Sequence, residues 1–110
     1  MKLKSIPPSM RSRRRYLVFE ILSAGSFSKD DIIRAFSRTG LHLLGEFGFS
    51  SLKLSVLDFD GRKGIIRFMY KKRQSVKAIV ALLTEVNGIS VIVRTLGVSG
   101  TIKKAKEKWW

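Results

Sequence analysis

Residues 52–70 have the sequence LKLSVLDFDGRKGIIRFMY, in which two apolar-rich runs typical of β-strands meet at Asp60-Gly61. An Asp-Gly pair between two such runs is typical of a tight β-hairpin turn. We therefore predict antiparallel strands over residues 52–60 and 64–70, in the middle of the chain. In the second strand, Phe68 and Tyr70 are expected to face the core.

A helix is predicted on each side of this hairpin. Upstream, Ser28 is the expected N-cap, because two aspartates follow it where the first turn of a helix favours acidic residues. Apolar residues at helical spacing then continue to residue 47. A bend or end of this helix is expected at Gly40. Downstream, Ser75 is predicted to cap a second helix, which Asn87-Gly88 ends. The apolar stripe of this second helix consists of Val76, Ile79, Val80, Leu83 and Val86.

Strands are predicted at both outer flanks, over residues 15–22 and 89–98, followed by a short basic helix. The order strand, helix, strand, strand, helix, strand is that of the α+β ferredoxin-like fold, which RNA-recognition modules share. We predict residues 15–98 as this core, with both main helices on one face of the sheet. Residues 1–14 are predicted as an extended basic arm and residues 99–110 as an extra C-terminal helix.

The chain combines a large positive charge with enough apolar material for one core. Its 110 residues carry a net charge of +14, and 45% of them are hydrophobic, too many for a disordered basic tail. The charge is +6 over residues 1–15, −2 over residues 16–60 and +10 over residues 61–110. Nucleic acid is the first candidate partner, an anionic membrane surface the second and an acidic protein the third.

Several classes of site and activity are excluded or disfavoured. The chain has no cysteine and a single histidine, His42, which excludes disulfide scaffolds, thiolate zinc sites and multi-histidine metal sites within one chain. No apolar run is long enough to span a bilayer. Asp58 and Asp60 could share a magnesium ion, but their place at the hairpin turn explains them. We expect no catalytic residue and no metal or cofactor bound by the protein itself.

Basic residues form three clusters with almost no acidic residue among them. They lie in the arm, at the start of the second helix and in the C-terminal helix. Arginine binds phosphate through two parallel hydrogen bonds, and several such clusters favour binding to a nucleic-acid backbone. The candidate RNA-binding residues are Arg11, Arg13, Arg14, Arg15, Lys71, Lys72, Arg73, Lys77, Lys103 and Lys104.

The helix-free face of the predicted sheet lacks the aromatic residues with which RNA-recognition motifs stack bases. Ile65 and Arg67 occupy the two positions where those aromatics would lie, which disfavours sequence-specific reading of single strands on this face. The face is nevertheless unusually apolar, so we predict that the C-terminal helix with Trp109 or a partner protein covers it. The candidate partner-interface residues are Val18, Leu22, Ile65, Met69 and Ile92.

Four segments of the chain together resemble one protein family. They are Arg14-Arg15-Tyr16-Leu17-Val18-Phe19-Glu20-Ile21 after a short arm with Pro-Pro, the glycine-led strand at Gly64, the helix from Ser75, and the tail GVSGTIKKA at residues 97–105. In this order and spacing they resemble the archaeal and eukaryotic ribonuclease P protein subunit family, which in archaea is protein component 2.

This resemblance implies a ribonucleoprotein endonuclease that removes the 5′ leader from precursor tRNA. In that family the RNA carries out the chemistry, with Mg²⁺ bound largely by RNA. The implied partners are RNase P RNA, precursor tRNA and a TIM-barrel-type subunit (archaeal protein component 3), with a self-dimer possible within a heterotetramer. The implied location is the cytoplasm in an archaeon and the nucleus or nucleolus in a eukaryote.

Two other functions are compatible with the same residues. One is a ribosomal or general structured-RNA-binding protein, which would not depend on a TIM-barrel partner. The other is a dimeric regulatory module that binds a small ligand, although a charge of +14 argues against it.

Overall fold

The computed structural model describes residues 13–110 of the chain. Its main elements are β1 (Arg14–Leu22), α1 (Lys29–Ser50), β2 (Ser55–Phe59), β3 (Lys63–Met69), α2 (Arg73–Leu82), β4 (Glu85–Val86), β5 (Ile89–Ser90), β6 (Ile92–Ser99) and α3 (Ile102–Trp109). A single 3₁₀ turn, Tyr70–Lys72, leads from β3 into α2.

Four strands form one antiparallel sheet in the order β2-β3-β1-β6, and β4 pairs with β5 in a separate short hairpin. The predicted ferredoxin-like fold is therefore confirmed. The main core lies between one face of the sheet and the two helices α1 and α2, because alternate residues of β1 and β3 point to that face. Its largest fully buried side chains include Leu17, Phe19, Ile32, Phe36, Ile66 and Ile79.

Helix α1 begins as predicted but bends at a different glycine. The Ser28 hydroxyl accepts the Asp31 N–H at 3.2 Å, and the Asp31 carboxylate accepts the Ser28 N–H at 2.9 Å, which completes a capping box. The predicted bend at Gly40 is wrong, since Gly45 is the residue with non-helical backbone, at φ +72°. Gly40 instead leaves room for the Phe49 ring, which the bend returns to the core.

The second helix starts earlier and ends earlier than predicted. Lys72, not Ser75, is its N-cap, and no side chain caps it there. Asn87-Gly88 does not end the helix but forms the turn between β4 and β5, where both residues have positive φ, as a tight hairpin turn requires. The predicted strand over residues 89–98 is accordingly divided into β5 and β6. All five stripe residues from Val76 to Val86 are buried, as predicted.

Helix α3 covers part of the helix-free face of the sheet. Val18, Ile65 and Ala105 are fully buried together, with Trp109 packed against them. The assignment of Val18 and Ile65 to a partner interface is therefore wrong, because this chain buries both side chains itself. The other three residues assigned to that interface remain accessible: Met69 is half-buried, and Leu22 and Ile92 are exposed at one end of the sheet.

Candidate nucleic-acid interface

The strand register brings the predicted basic clusters to one end of the sheet. Arg14 of β1 pairs with Met69 at the end of β3, and Tyr16 pairs with Ser99 at the end of β6. Arg13 and Arg14, the start of α2 and the start of α3 therefore meet there. We call this surface the basic end; its described residues are Arg13, Arg14, Arg15, Lys71, Lys72, Arg73, Lys77, Lys103 and Lys104. Arg11, the remaining candidate, lies outside the described residues.

Tyr70 organises the centre of the basic end. The guanidinium carbons of Arg15 and Arg73 lie 4.9 Å and 4.3 Å from the centroid of its ring. Its backbone N–H donates to the Arg13 carbonyl at 2.6 Å, and Arg73 donates to the Tyr70 carbonyl at 3.2 Å. The prediction that Tyr70 faces the core is wrong: it starts the 3₁₀ turn beyond the last strand position and is 40% exposed.

Because an aromatic ring holds Arg15 and Arg73, their charge is not neutralised by the contact. The carboxylates that form ion pairs within residues 13–110 are Glu20, Asp31 and Asp58, all toward the opposite end of the sheet. The two arginines are thus positioned in advance yet keep their full attraction for an anion.

The start of α3 contributes the third cluster through an ordinary helix cap. The Thr101 hydroxyl accepts the Lys104 N–H at 3.1 Å, which fixes the first turn of α3 directly after Ser99. Lys103 and Lys104 are both exposed on that turn. They therefore extend the basic end onto the helix-free side of the sheet.

Sequence reasoning missed Arg67 as a member of this surface. Arg67 lies opposite Tyr16 in the register, two residues before Met69, and is half-buried. Its Nε is buried without a hydrogen-bond partner among the described residues. Its alternation with Ile65 and Met69 predicted its place on the helix-free face, but the sequence alone gave no signal that it would pair with Tyr16 close to the basic end.

A cleft of about 260 Å³ opens beside Tyr70. It lies between the end of the sheet and the first turns of α2. Leu17, Phe68 and Val98 form its apolar surface, and Tyr70, Arg73 and Lys77 form its polar surface.

The opposite end of the sheet carries a buried ion-pair group. Glu20 is only 2% exposed, and its carboxylate contacts Arg62 at 2.8 Å and Arg94 at 2.6 Å. Burial raises the pKa of Glu20, but the hydrogen bonds and positive charges of Arg94 and Arg62 outweigh that effect, so the pKa is lowered overall. Glu20 therefore has a structural role as the anion that joins two cationic side chains.

Asp58 and Asp60, the two carboxylates considered for a magnesium ion, also have structural partners. Asp58 pairs with Lys106 of α3 at 3.0 Å, and its pKa is lowered chiefly by that hydrogen bond. Asp60 accepts the N–H groups of Arg62 and Lys63 within the hairpin turn, at 2.9 Å and 2.7 Å. Within residues 13–110, no group of three or more metal-ligating side chains is present, and no helix is long and apolar enough to cross a membrane.

The fold and this surface together define a basic ferredoxin-like protein with its cations gathered at one end of the sheet. The sequence profile of the Rpp14/Pop5 family matches residues 15–110. The chain belongs to the Rpp14/Pop5 family, a family of ribonuclease P proteins, as its four sequence segments predicted.

The similarity to archaeal relatives covers nearly the whole chain. The chain is 43% identical to ribonuclease P protein component 2 of Archaeoglobus fulgidus, with 97% of each chain covered. It is 40% identical to the protein of the same name from Pyrococcus horikoshii, with 98% of this chain and 92% of that protein covered.

A solved structure supports the fold independently of sequence. A chain in the cryo-EM structure of yeast ribonuclease MRP superimposes with a TM-score of 0.71, covering 90% of this chain and 92% of that chain, at 15% identity. At this level of identity, the likeness establishes the fold alone.

Proposed function

We propose that this protein is a subunit of ribonuclease P that binds RNase P RNA and stabilises its catalytic domain for removal of the 5′ leader from precursor tRNA. The observation that carries the proposal is the convergence of Arg13 and Arg14, the start of α2 and the start of α3 at the basic end. Catalysis and the Mg²⁺ that supports it belong to the RNA. Its site of action is the archaeal cytoplasm.

The proposed mechanism is electrostatic. Phosphates crowd together when a large RNA folds, and lysine and arginine contacts neutralise them while releasing condensed counterions. Because Tyr70 holds Arg15 and Arg73 in place before binding, little side-chain entropy is lost on contact. The protein thereby lowers the Mg²⁺ concentration that the RNA needs, without supplying a metal ligand or a base.

The first helix is the proposed surface for the TIM-barrel-type subunit, since α3 covers the middle of the sheet. Phe47 is 93% exposed just after the bend at Gly45, and Leu43 and Leu82 line a shallow cleft between α1 and α2. Exposed apolar side chains grouped on two adjacent helices are typical of a protein interface. This surface and the basic end share no residue, so one chain can contact RNA and protein through different side chains.

Reconstitution of precursor tRNA cleavage tests the proposal directly. RNase P RNA is assayed across a Mg²⁺ series alone, with this protein, and with this protein plus the TIM-barrel-type subunit. We expect the two proteins together to lower the Mg²⁺ needed for half-maximal cleavage. If cleavage at low Mg²⁺ is the same with and without this chain, the proposal is wrong, and binding to rRNA would then favour the general RNA-binding alternative.

A further inference from the structure

We propose that the cleft beside Tyr70 binds a single unstacked nucleotide of an RNA strand. This inference rests on the proposed function and specifies one contact within it. The cleft has an apolar floor on one side and cations on the other, which matches the two chemical parts of a nucleotide. It also lies at the centre of the basic end, where a phosphate backbone would pass.

The floor of the cleft suits the flat face of a base. Leu17 and Phe68 belong to the buried core and present only their outer edges there, while Val98 is 42% exposed at the end of β6. A base placed on this floor would remove Val98 and the cleft surface from water, which favours binding without reading the base identity.

The rim of the cleft offers contacts for a phosphate and for a stacked RNA base. Arg73 and Lys77 lie on successive turns of α2 and both line the cleft. Arg73 already lies over the Tyr70 ring, so a guanidinium plane and an aromatic ring stand at the mouth. Unstacked RNA bases pack on such planes, and the adjacent phosphate is a charge partner for Lys77.

The helix-free face of the sheet cannot serve this purpose here. In RNA-recognition modules that face stacks the bases. In this chain Val18 and Ile65 are fully buried beneath α3, with Trp109 packed against them. A nucleotide contact is therefore displaced from the face of the sheet to its end.

The test compares a single-stranded probe with a duplex probe on the full chain. The probes are a fluorescent ten-nucleotide RNA of mixed sequence and the blunt ten-base-pair RNA duplex containing it, both titrated by anisotropy. Val98→Trp fills the cleft and keeps every charge. We expect it to weaken single-strand binding about tenfold, as loss of a stacked base does, with duplex binding changed less than about twofold. Ile89→Trp, which adds the same indole at a residue that is 41% exposed in the β4-β5 hairpin and does not line the cleft, should bind both probes as the wild type does.

The outcomes separate this inference from the proposed function. If Val98→Trp binds the single strand as well as the wild type, or weakens both probes equally, the cleft is not a nucleotide site. The proposed function is tested separately by Lys71→Gln with Lys72→Gln, which keeps the cleft and should weaken binding of both probes.

A measurement on the wild-type protein covers the case in which Val98→Trp does not fold. A single-stranded probe carrying 4-thiouridine is crosslinked by light and the modified peptide is mapped by mass spectrometry. We expect crosslinks at Tyr70 or Lys77, the accessible side chains of the cleft. Crosslinks found only in other segments would overturn the inference.

Discussion

Gly97 of β6 lies directly beneath the ring of Trp109, so close that a Cβ at this position would overlap the indole. The contact seats α3 on the sheet, above Val18 and Ile65. Only glycine leaves enough space for the indole to approach the strand backbone in this way. The glycine that opens the GVSGTIKKA segment therefore has a packing role in this fold.

Substitution Gly97→Ala should displace the Trp109 ring and weaken the packing of α3 on the sheet. We expect the free energy of unfolding to fall by about 1–3 kcal/mol, the usual cost of overfilling a packed site. Urea denaturation followed by tryptophan fluorescence measures the change. Gly100→Ala is the matched control, because no atom lies near its added methyl group, and it should change stability by less than about 0.5 kcal/mol. Equal stability of Gly97→Ala and the wild type would contradict the role assigned to this glycine.

Substitution Gly45→Ala should strain the bend of α1. Gly45 has φ +72° and ψ 177°, a conformation open almost only to glycine, and no atom obstructs a methyl group there. The expected loss is about 1–3 kcal/mol, arising from the backbone alone. Thermal melting measures it, with Glu46→Ala, an exposed neighbour of ordinary backbone, as the control. If both variants melt at the same temperature, the bend does not depend on glycine.

Local patterns predicted the fold well because its core elements follow simple periodicities. The alternation at Leu17, Phe19 and Ile21 and the stripe of α2 depend only on which face is buried. The bend of α1 was misplaced because Gly40 and Gly45 look alike in sequence, and only the packing of Phe49 on Gly40 separates them. Asn87-Gly88 is compatible with both a helix end and a hairpin turn. In the structure the turn forms, because the next two residues, Ile89 and Ser90, pair with Val86 and Glu85.

The sequence predicted the three basic clusters but not that they lie together at one end of the sheet. Each basic cluster is visible in the sequence, yet their convergence depends on the pairing of Arg14 with Met69 and of Tyr16 with Ser99. Tyr70 was assigned to the core because the alternation of β3 was extended by one residue. The 3₁₀ turn breaks that alternation and turns the ring toward the arginines.

Stability should depend on pH through Glu20. Its pKa is lowered in the folded state from an ordinary value of 4.5, because the hydrogen bonds and charges of Arg94 and Arg62 outweigh the effect of burial. A lowered pKa stabilises the fold above the unfolded-state value, and that contribution is lost as the pH falls below about 4.5 through the folded-state value.

The substitution Glu20→Gln isolates this contribution. It should lower the melting temperature at pH 7 and reduce the further drop between pH 6 and pH 3. Melting curves of both proteins across this range measure the effect, with Glu46→Gln as an exposed control. Parallel pH profiles for wild type and Glu20→Gln would show that the ion-pair group does not contribute.

Phe47 should contribute strongly to binding of the TIM-barrel-type subunit. Because the side chain is 93% exposed, Phe47→Ser should leave the melting temperature unchanged. A central aromatic residue at an interface commonly contributes about 2 kcal/mol or more, so binding should weaken roughly thirtyfold or more. Calorimetry with the purified subunit measures the affinity. Ile92→Ser is the matched comparison on the sheet, and a loss in that variant alone would place the interface on the sheet instead.

The basic end should account for the salt dependence of RNA binding. The double variant Lys71→Gln with Lys72→Gln removes two exposed lysines beside Tyr70, so fewer counterions are released on binding. The slope of log affinity against log salt should fall in magnitude by about 1 for each lysine that contacts a phosphate. Filter binding of RNase P RNA between low and moderate salt gives both slopes. The control is Lys29→Gln with Lys108→Gln, which removes the same charge at the start of α1 and the end of α3, near the opposite end of the sheet. If the two double variants show equal slopes, net charge alone governs binding and the basic end is not the RNA surface.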